Sequence, residues 1–267
     1  MLNEPRLLAV AGFPVGHSRS PAMQRAALAE LGIPWRYFRL PLPPERFEET
    51  VRALPAAGYA GLNVTVPHKE AALALADSAT PTAEAIGAAN TLTFGDRGIE
   101  AENTDAPALI AALGGSPAGK TALVLGAGGA GRAAAWALRE AGAQVSAWNR
   151  TTERAKQLSD ELGVAHADRP RAADIVVNTT SVGLDGTTDP LDALHLAGLE
   201  PPPVLVDLVY AQGGTALAAW GRVGGSHVVD GLEILVRQGA LSLESWTGRV
   251  APLATMRAAV QDGLDID

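Results

Sequence analysis

The apolar run Thr121-Ala122-Leu123-Val124-Leu125 leads directly into Gly126-Ala127-Gly128-Gly129-Ala130-Gly131, and that turn leads into Arg132-Ala133-Ala134-Ala135-Trp136-Ala137-Leu138. A strand former, a G-x-G-x-x-G turn and an alanine-rich helix former in this order confine the surrounding chain to a βαβ unit that binds a dinucleotide. Gly126 permits the tight turn, Gly128 lets the backbone approach a pyrophosphate, and Gly131 lets helix and strand pack closely. The first helical amides then face the anion. The next strand, over 144–148, ends in Trp148-Asn149-Arg150-Thr151, where a site for NAD would carry an acidic residue against the ribose hydroxyls. An arginine there matches a 2′-phosphate instead, and Arg154 follows one helical turn later. Cations at a helix start oppose the helix dipole, which argues that these two serve a ligand. NADP(H) is the expected cofactor.

The same alternation extends in both directions. Strands are expected over 6–10, 35–40 and 61–66 with helices over 20–31 and 45–54, then strands over 120–125, 144–148, 175–178 and 204–208 with helices over 130–140 and 153–162. Such an order predicts an α/β fold with parallel strands, doubly wound in its second half. A Gly/Pro cluster, Leu113-Gly114-Gly115-Ser116-Pro117-Ala118-Gly119, follows a helical stretch over 106–113 and marks the entry to that half. From 232 to 260 the chain reads as helical, with Leu235, Ala240, Leu243 and Trp246 near one face, and periodicity leaves open which half it packs against. With 47% hydrophobic and 19% charged residues the chain is too apolar to be disordered. Its 21 basic and 29 acidic residues give a net charge of -8 without any dense basic run, which disfavours nucleic acid or an anionic membrane as partner. The absence of cysteine removes thiolate nucleophiles, disulfides and thiolate metal sites. The apolar stretch over 7–11 is too short to span a bilayer and follows Glu4 rather than a basic segment, so a cytoplasmic location is expected.

Polar residues concentrate in the first half. In Ser18-Arg19-Ser20-Pro21, Ser20 is the expected N-cap of a helix whose first turn holds Pro21, and Ser18 is then available for a carboxylate or hydroxyls. In Asn63-Val64-Thr65-Val66-Pro67-His68-Lys69, Asn63 and Thr65 share one strand face and Lys69 follows a proline break. Only three lysines accompany eighteen arginines, and lysine alone of the two can exchange a proton near neutrality, so Lys69 is the acid/base candidate. His68 beside it reads equally well as structural. The turn Gly95-Asp96-Arg97-Gly98 would bring Ala88-Ala89-Asn90-Thr91 next to Glu102-Asn103-Thr104-Asp105. Asp105 could orient a protonated lysine, bind a substrate hydroxyl, or cap the following helix.

Taken in order with Asn178-Thr179-Thr180-Ser181-Val182-Gly183, Asp207-Leu208-Val209-Tyr210, Asp230-Gly231 and Gln238-Gly239, these motifs resemble the shikimate dehydrogenases nearly end to end. These are NADP-dependent enzymes that reduce 3-dehydroshikimate to shikimate. The resemblance implies an α/β substrate-binding and catalytic domain over 1–104 plus 232–267, with the C-terminal helices returning to it. It implies a Rossmann-type NADP-binding domain over 105–231. It further implies that Ser18 and Ser20 hold the substrate carboxylate, that Thr65, Asn90, Asp105 and Gln238 contact ring substituents or the reacting centre, and that Lys69 is the acid/base residue. Thr179, Ser181, Leu208, Gly231 and Leu235 would line the nicotinamide, with Tyr210 reaching towards the substrate. Asn149, Arg150, Thr151 and Arg154 would hold the 2′-phosphate. No metal is implied, and both monomers and homodimers occur among the relatives. Gln24-Arg25, Ala101-Glu102, Glu233 and Ile234 depart from the usual pattern. A quinate/shikimate dehydrogenase is the first alternative, opposed by Ser20 and by Arg150 without a neighbouring acid. An aminoshikimate dehydrogenase stays open, and a noncatalytic NADP-binding sensor is opposed by the joint presence of Lys69 and Asp105.

Overall fold

The computed structural model describes residues 2–211 and 213–261. It divides into two compact units, one running to Thr104 and resuming at Leu235, the other covering Asp105–Ile234.

The first unit contains β1 (Leu7–Gly12), α1 (Ser20–Glu30), β2 (Arg36–Pro41), α2 (Phe47–Ala53), β3 (Tyr59–Val64), α3 (Lys69–Leu75), β4 (Ser78–Ala79), α4 (Pro81–Ile86), β5 (Thr91–Gly95) and β6 (Gly98–Glu102). Its sheet order among the described residues is β2-β1-β3-β5-β6-β4. β1 lies parallel to both neighbours, and its apolar run is buried on both faces, as a central parallel strand requires. β5 departs from the parallel order, antiparallel to β3 and, as the turn expected over 95–98 requires, to β6. For the β5–β6 pair the cause is local. Gly95 and Gly98 flank a two-residue loop, Gly98 takes φ +100°, and the Asp77 carboxylate accepts the Ile99 N–H at 2.8 Å. A hairpin that tight can return the chain only antiparallel. α11 (Leu253–Gln261) packs on α1, where the Arg19 guanidinium donates to the Val260 carbonyl at 2.6 Å.

The second unit contains α5 (Asp105–Ala112), β7 (Thr121–Leu125), α6 (Gly129–Glu140), β8 (Gln144–Trp148), α7 (Thr152–Leu162), β9 (Ala165–His166), β10 (Ile175–Asn178), α8 (Pro190–Ala193), β11 (Val204–Asp207), α9 (Ala216–Val223) and β12 (His227–Val229). The order β12-β11-β10-β7-β8-β9 is parallel throughout, a doubly wound sheet whose direction of progress reverses between β7 and β10. Val124, Ala135, Leu138, Leu158 and Val177 form the core on one face, and Leu123, Leu125, Val176, Leu205 and Leu217 that on the other. β9 and β12 are only two and three residues long, too short to show a period in sequence. α10 (Gly231–Thr247) carries the chain from the second unit back to the first. No described helix is long and apolar enough to cross a membrane.

Candidate functional site

In the first unit, strand direction alone brings the candidate residues to one end of the sheet. The segments after β1, β3 and β6 and the segment before β5 all lie there, because β5 runs opposite to β3 and β6 opposite to β5. The segment after β1 holds Ser18 and Ser20, that after β3 holds Thr65 and Lys69, and Asn90 immediately precedes β5. β1 and β3 also flank the point where strand order reverses, the usual ligand crevice of such sheets. Thr65 is tied by its N–H to the Ala11 carbonyl at 2.9 Å. A Cβ on Gly12 would come within 2.4 Å of the Thr65 methyl, so glycine is what allows these two loops to touch.

The serine pair is arranged differently from expectation. Ser20 is the first residue of α1 rather than its cap, and it is the Ser18 hydroxyl that accepts the Ser20 N–H, at 3.3 Å. Pro21 has no N–H, so the amide in need of an acceptor is the one before it. Both side chains are buried, at 6% and 5% exposure.

Lys69 opens α3 half-buried, and its carbonyl accepts the Ala89 N–H at 2.9 Å, which pins it beside the segment bearing Asn90. His68 is structural. Its ring stacks on Phe47 with centroids 4.3 Å apart, Nε2 lies 2.6 Å from the Leu42 carbonyl, and burial lowers its pKa against the opposing pull of that hydrogen bond. Asn90 donates to Thr104 Oγ1 at 2.9 Å and to Gln238 Oε1 at 3.1 Å, and its Oδ1 accepts the Thr104 N–H at 2.8 Å. Gln238 in turn donates to the Leu235 carbonyl at 2.7 Å, so Leu235 belongs with the first unit and serves Gln238 through its backbone.

Behind these groups lies a buried polar layer, of which sequence reasoning singled out Asn63 and Thr91 and missed Tyr37 and Ser242. The Tyr37 hydroxyl donates to Asn63 Oδ1 at 2.8 Å, and Asn63 Nδ2 donates to Ser242 Oγ at 2.9 Å and to Thr91 Oγ1 at 3.2 Å. Thr91 Oγ1 and Ser242 Oγ are 2.8 Å apart, and Ser242 donates to the Gln238 carbonyl at 3.0 Å. For Ser242 the signal in sequence was its place four residues after Gln238, hence on the same helical face.

In the second unit, the reversal between β7 and β10 sets the glycine turn beside the segment after β10. Gly126 takes φ +112°, and a Cβ there would lie 2.5 Å from Thr179 Oγ1, which itself donates to the Leu125 carbonyl at 2.8 Å. Gly128 is extended at the N-cap of α6, with Gly129 and Ala130 in its first turn and Ala127 packed on the core. Asn149 Nδ2 donates to the Thr151 carbonyl at 3.0 Å, Thr151 takes the N-cap position of α7, and Arg150 and Arg154 are exposed on either side. Asn178 and Asp207, at the ends of β10 and β11, tie the loops that follow them. Asn178 Nδ2 and the Val209 N–H donate to Asp207 Oδ1 at 2.9 and 3.2 Å, Thr215 Oγ1 donates to Oδ2 at 2.5 Å, and Thr180 donates to Asn178 Oδ1. Burial raises the Asp207 pKa, those hydrogen bonds offset part of the rise, and the Asp230 charge adds to it. A Cβ on Gly231 would meet the Leu208 carbonyl at 2.5 Å, so Leu208 and the start of α10 are held together. Ser181 is exposed and Tyr210 half-buried on the loops after β10 and β11, and Asp105 opens α5 directly after Thr104.

Comparison with known proteins covers nearly the whole chain. Residues 10–92 match the shikimate dehydrogenase substrate binding domain, residues 231–261 the shikimate 5'-dehydrogenase C-terminal domain, and residues 97–220 the alanine dehydrogenase/PNT C-terminal domain. Shikimate dehydrogenase (NADP+) of Anaeromyxobacter dehalogenans is 45% identical, covering 96% of this chain and 95% of its own. Among solved structures, the shikimate dehydrogenase of Aquifex aeolicus superposes with TM-score 0.89 at 34% identity, covering 98% of this chain and 100% of its own. The shikimate 5-dehydrogenase of Thermus thermophilus in complex with NADP(H) and shikimate gives 0.86 at 42% identity, covering 96% and 99%.

Proposed function

The chain belongs to the shikimate dehydrogenase family, and from that premise we propose that it interconverts 3-dehydroshikimate and shikimate with NADP(H), using Lys69 as its proton donor and acceptor. The observation that carries this reading is the gathering of Ser18, Ser20, Thr65, Lys69, Asn90 and Gln238 at one end of a single sheet, in a chain whose other unit holds a phosphate-binding turn.

The second unit fits the cofactor. The turn over 126–131 leaves Gly128 with nothing within 4 Å of an added Cβ, and the first amides of α6 follow it. Arg150 and Arg154 supply two guanidiniums for a 2′-phosphate, with Asn149 between β8 and Arg150 and Thr151 at the N-cap of α7. Thr179, Ser181, Leu208, Gly231 and Leu235 are assigned to the nicotinamide side. When bound, NADPH supplies the hydride that reduces the ring ketone.

The chain's own residues then do three things. Ser18 and Ser20 hold the carboxylate and set the ring's orientation, while Thr65, Asn90, Gln238 and Tyr210 hold its hydroxyls, so the carbonyl is presented in one pose. The Lys69 ammonium stabilises the alkoxide oxygen as charge develops there and gives it a proton, and in the reverse direction the neutral amine takes that proton back. Asp105 accepts a hydrogen bond from a substrate hydroxyl or from the ammonium. The domain roles follow: substrate binding for 1–104 with the C-terminal helices, cofactor binding for the segment between them.

Initial rates of cofactor reduction with shikimate and quinate, each paired with NADP+ and NAD+, test the proposal. Turnover of shikimate with NADP+ at least about tenfold above the other three pairs is expected, one such factor being worth about 1.4 kcal/mol of transition-state discrimination. Preference for quinate with NAD+ would mean both pockets are misassigned.

A further inference from the structure

Tyr37 has no part in the scheme above, yet its geometry places it directly behind the groups that grip the substrate. It lies on β2 with no exposed surface, its ring tilted against Trp246 of α10 with centroids 6.3 Å apart. Its carbonyl is fixed by Arg25 Nε at 2.9 Å, so the backbone at this point cannot drift. A neutral phenol has one proton to donate, and here it goes to Asn63 Oδ1 at 2.8 Å.

That donation decides how the Asn63 carboxamide is turned. With Oδ1 facing Tyr37, Nδ2 faces the Asn90 carbonyl at 3.3 Å, Thr91 Oγ1 and Ser242 Oγ. The Asn90 carbonyl can only accept, so this is the orientation that satisfies both ends. One carboxamide thus holds the backbone of Asn90 and the turn of α10 that also bears Gln238. The Ser20 side chain hydrogen-bonds the same phenol, so Tyr37 also adjoins the turn that bears Ser18 and Ser20.

We propose that Tyr37 is a positioning residue for substrate recognition, acting through Asn63 to hold Asn90 and Gln238 at the spacing the substrate hydroxyls require. The inference rests on the reading under Proposed function. Loss of its hydroxyl leaves Asn63 Oδ1 buried without that donor, and the carboxamide is then free to turn away from the Asn90 carbonyl.

Tyr37→Phe in the full chain, alone and combined with Asn63→Ala, is the test, with kcat and KM measured for shikimate and for NADP+. The expected result is a rise in KM for shikimate of about tenfold with kcat within about threefold and KM for NADP+ unchanged. In the Asn63→Ala background the added Tyr37→Phe should change KM by less than about twofold, because residues acting through one network do not add. A loss of fold integrity would instead lower kcat and melting temperature with no selective rise in KM for shikimate. An unchanged KM in Tyr37→Phe, or effects of the two substitutions that multiply, overturns the proposal. Should Tyr37→Phe fail to fold, Asn63→Ala alone decides, and a KM within about twofold of the parent overturns it. Absence of shikimate turnover in the unsubstituted protein would refute the reading under Proposed function and not this inference alone.

Discussion

Gly131→Ala should weaken NADP(H) binding and lower thermal stability together, whereas Gly128→Ala should weaken binding alone. A Cβ on Gly131 would lie 2.2 Å from the Gly126 carbonyl oxygen and 2.8 Å from its carbon, backbone atoms that cannot rotate aside. Restoring ordinary contact requires helix α6 and the end of β7 to separate by about 1 Å, and overpacking of that kind costs about 1–3 kcal/mol. For a domain of this size about 2 kcal/mol corresponds to a fall in Tm of about 6 °C. The same displacement shifts the turn's amides away from a pyrophosphate, and loosening two charge-assisted hydrogen bonds would cost about 2–4 kcal/mol, or about 30- to 1000-fold in Kd. Gly128 differs. Its φ of -93° and ψ of -173° are open to any residue, and an added Cβ meets nothing within 4 Å, so alanine there adds no strain to the free protein. Its methyl would instead occupy the approach to the pyrophosphate, weakening NADPH binding by about tenfold to a hundredfold. Fluorescence titration with NADPH and thermal melts without ligand measure both quantities. Equal melting temperatures for the two variants, or NADPH affinity within about threefold of the parent for Gly131→Ala, would refute this account of the turn.

Lys69→Ala should lower kcat by about 10²–10⁴-fold, the usual contribution of a general acid, with a much smaller change in KM for shikimate. An unchanged kcat with only KM raised would make Lys69 a binding residue. For Asp207, burial raises the carboxyl pKa in the folded protein above the unfolded value near 3.9. The folded state therefore holds this proton more tightly than the unfolded chain, and the associated stability is present at low pH and lost as pH rises through the folded pKa. Asp207→Asn removes that ionisation, so urea midpoints of the parent should fall relative to the variant as pH rises from about 4 towards 7. A difference between the two that stays constant with pH would contradict the assignment.

Where residues within one turn or one strand carry the information, sequence was enough. The strand, three glycines and helix over 121–138 specify a strand–tight turn–helix by themselves, because glycine there answers a short-range steric demand, and Gly131 against Gly126 shows that demand at 2.2 Å. The alternation of apolar runs specified the doubly wound half equally well, since parallel strands buried on both faces leave a pattern in a single run. Arg150 and Arg154 flank the start of α7, as their distance beyond the glycine turn led one to expect. Elsewhere the outcome depended on partners far apart in the chain. The antiparallel pairing of β5 with β3 sets Asn63 opposite Thr91, 28 residues later. Asn63 meets Ser242 across 179 residues, and Asn90 meets Gln238 across 148. No local propensity encodes such pairs. They exist because strand register and the packing of α10 bring buried donors and acceptors within reach of one another, and a buried polar group must then be satisfied by whatever the fold has placed beside it.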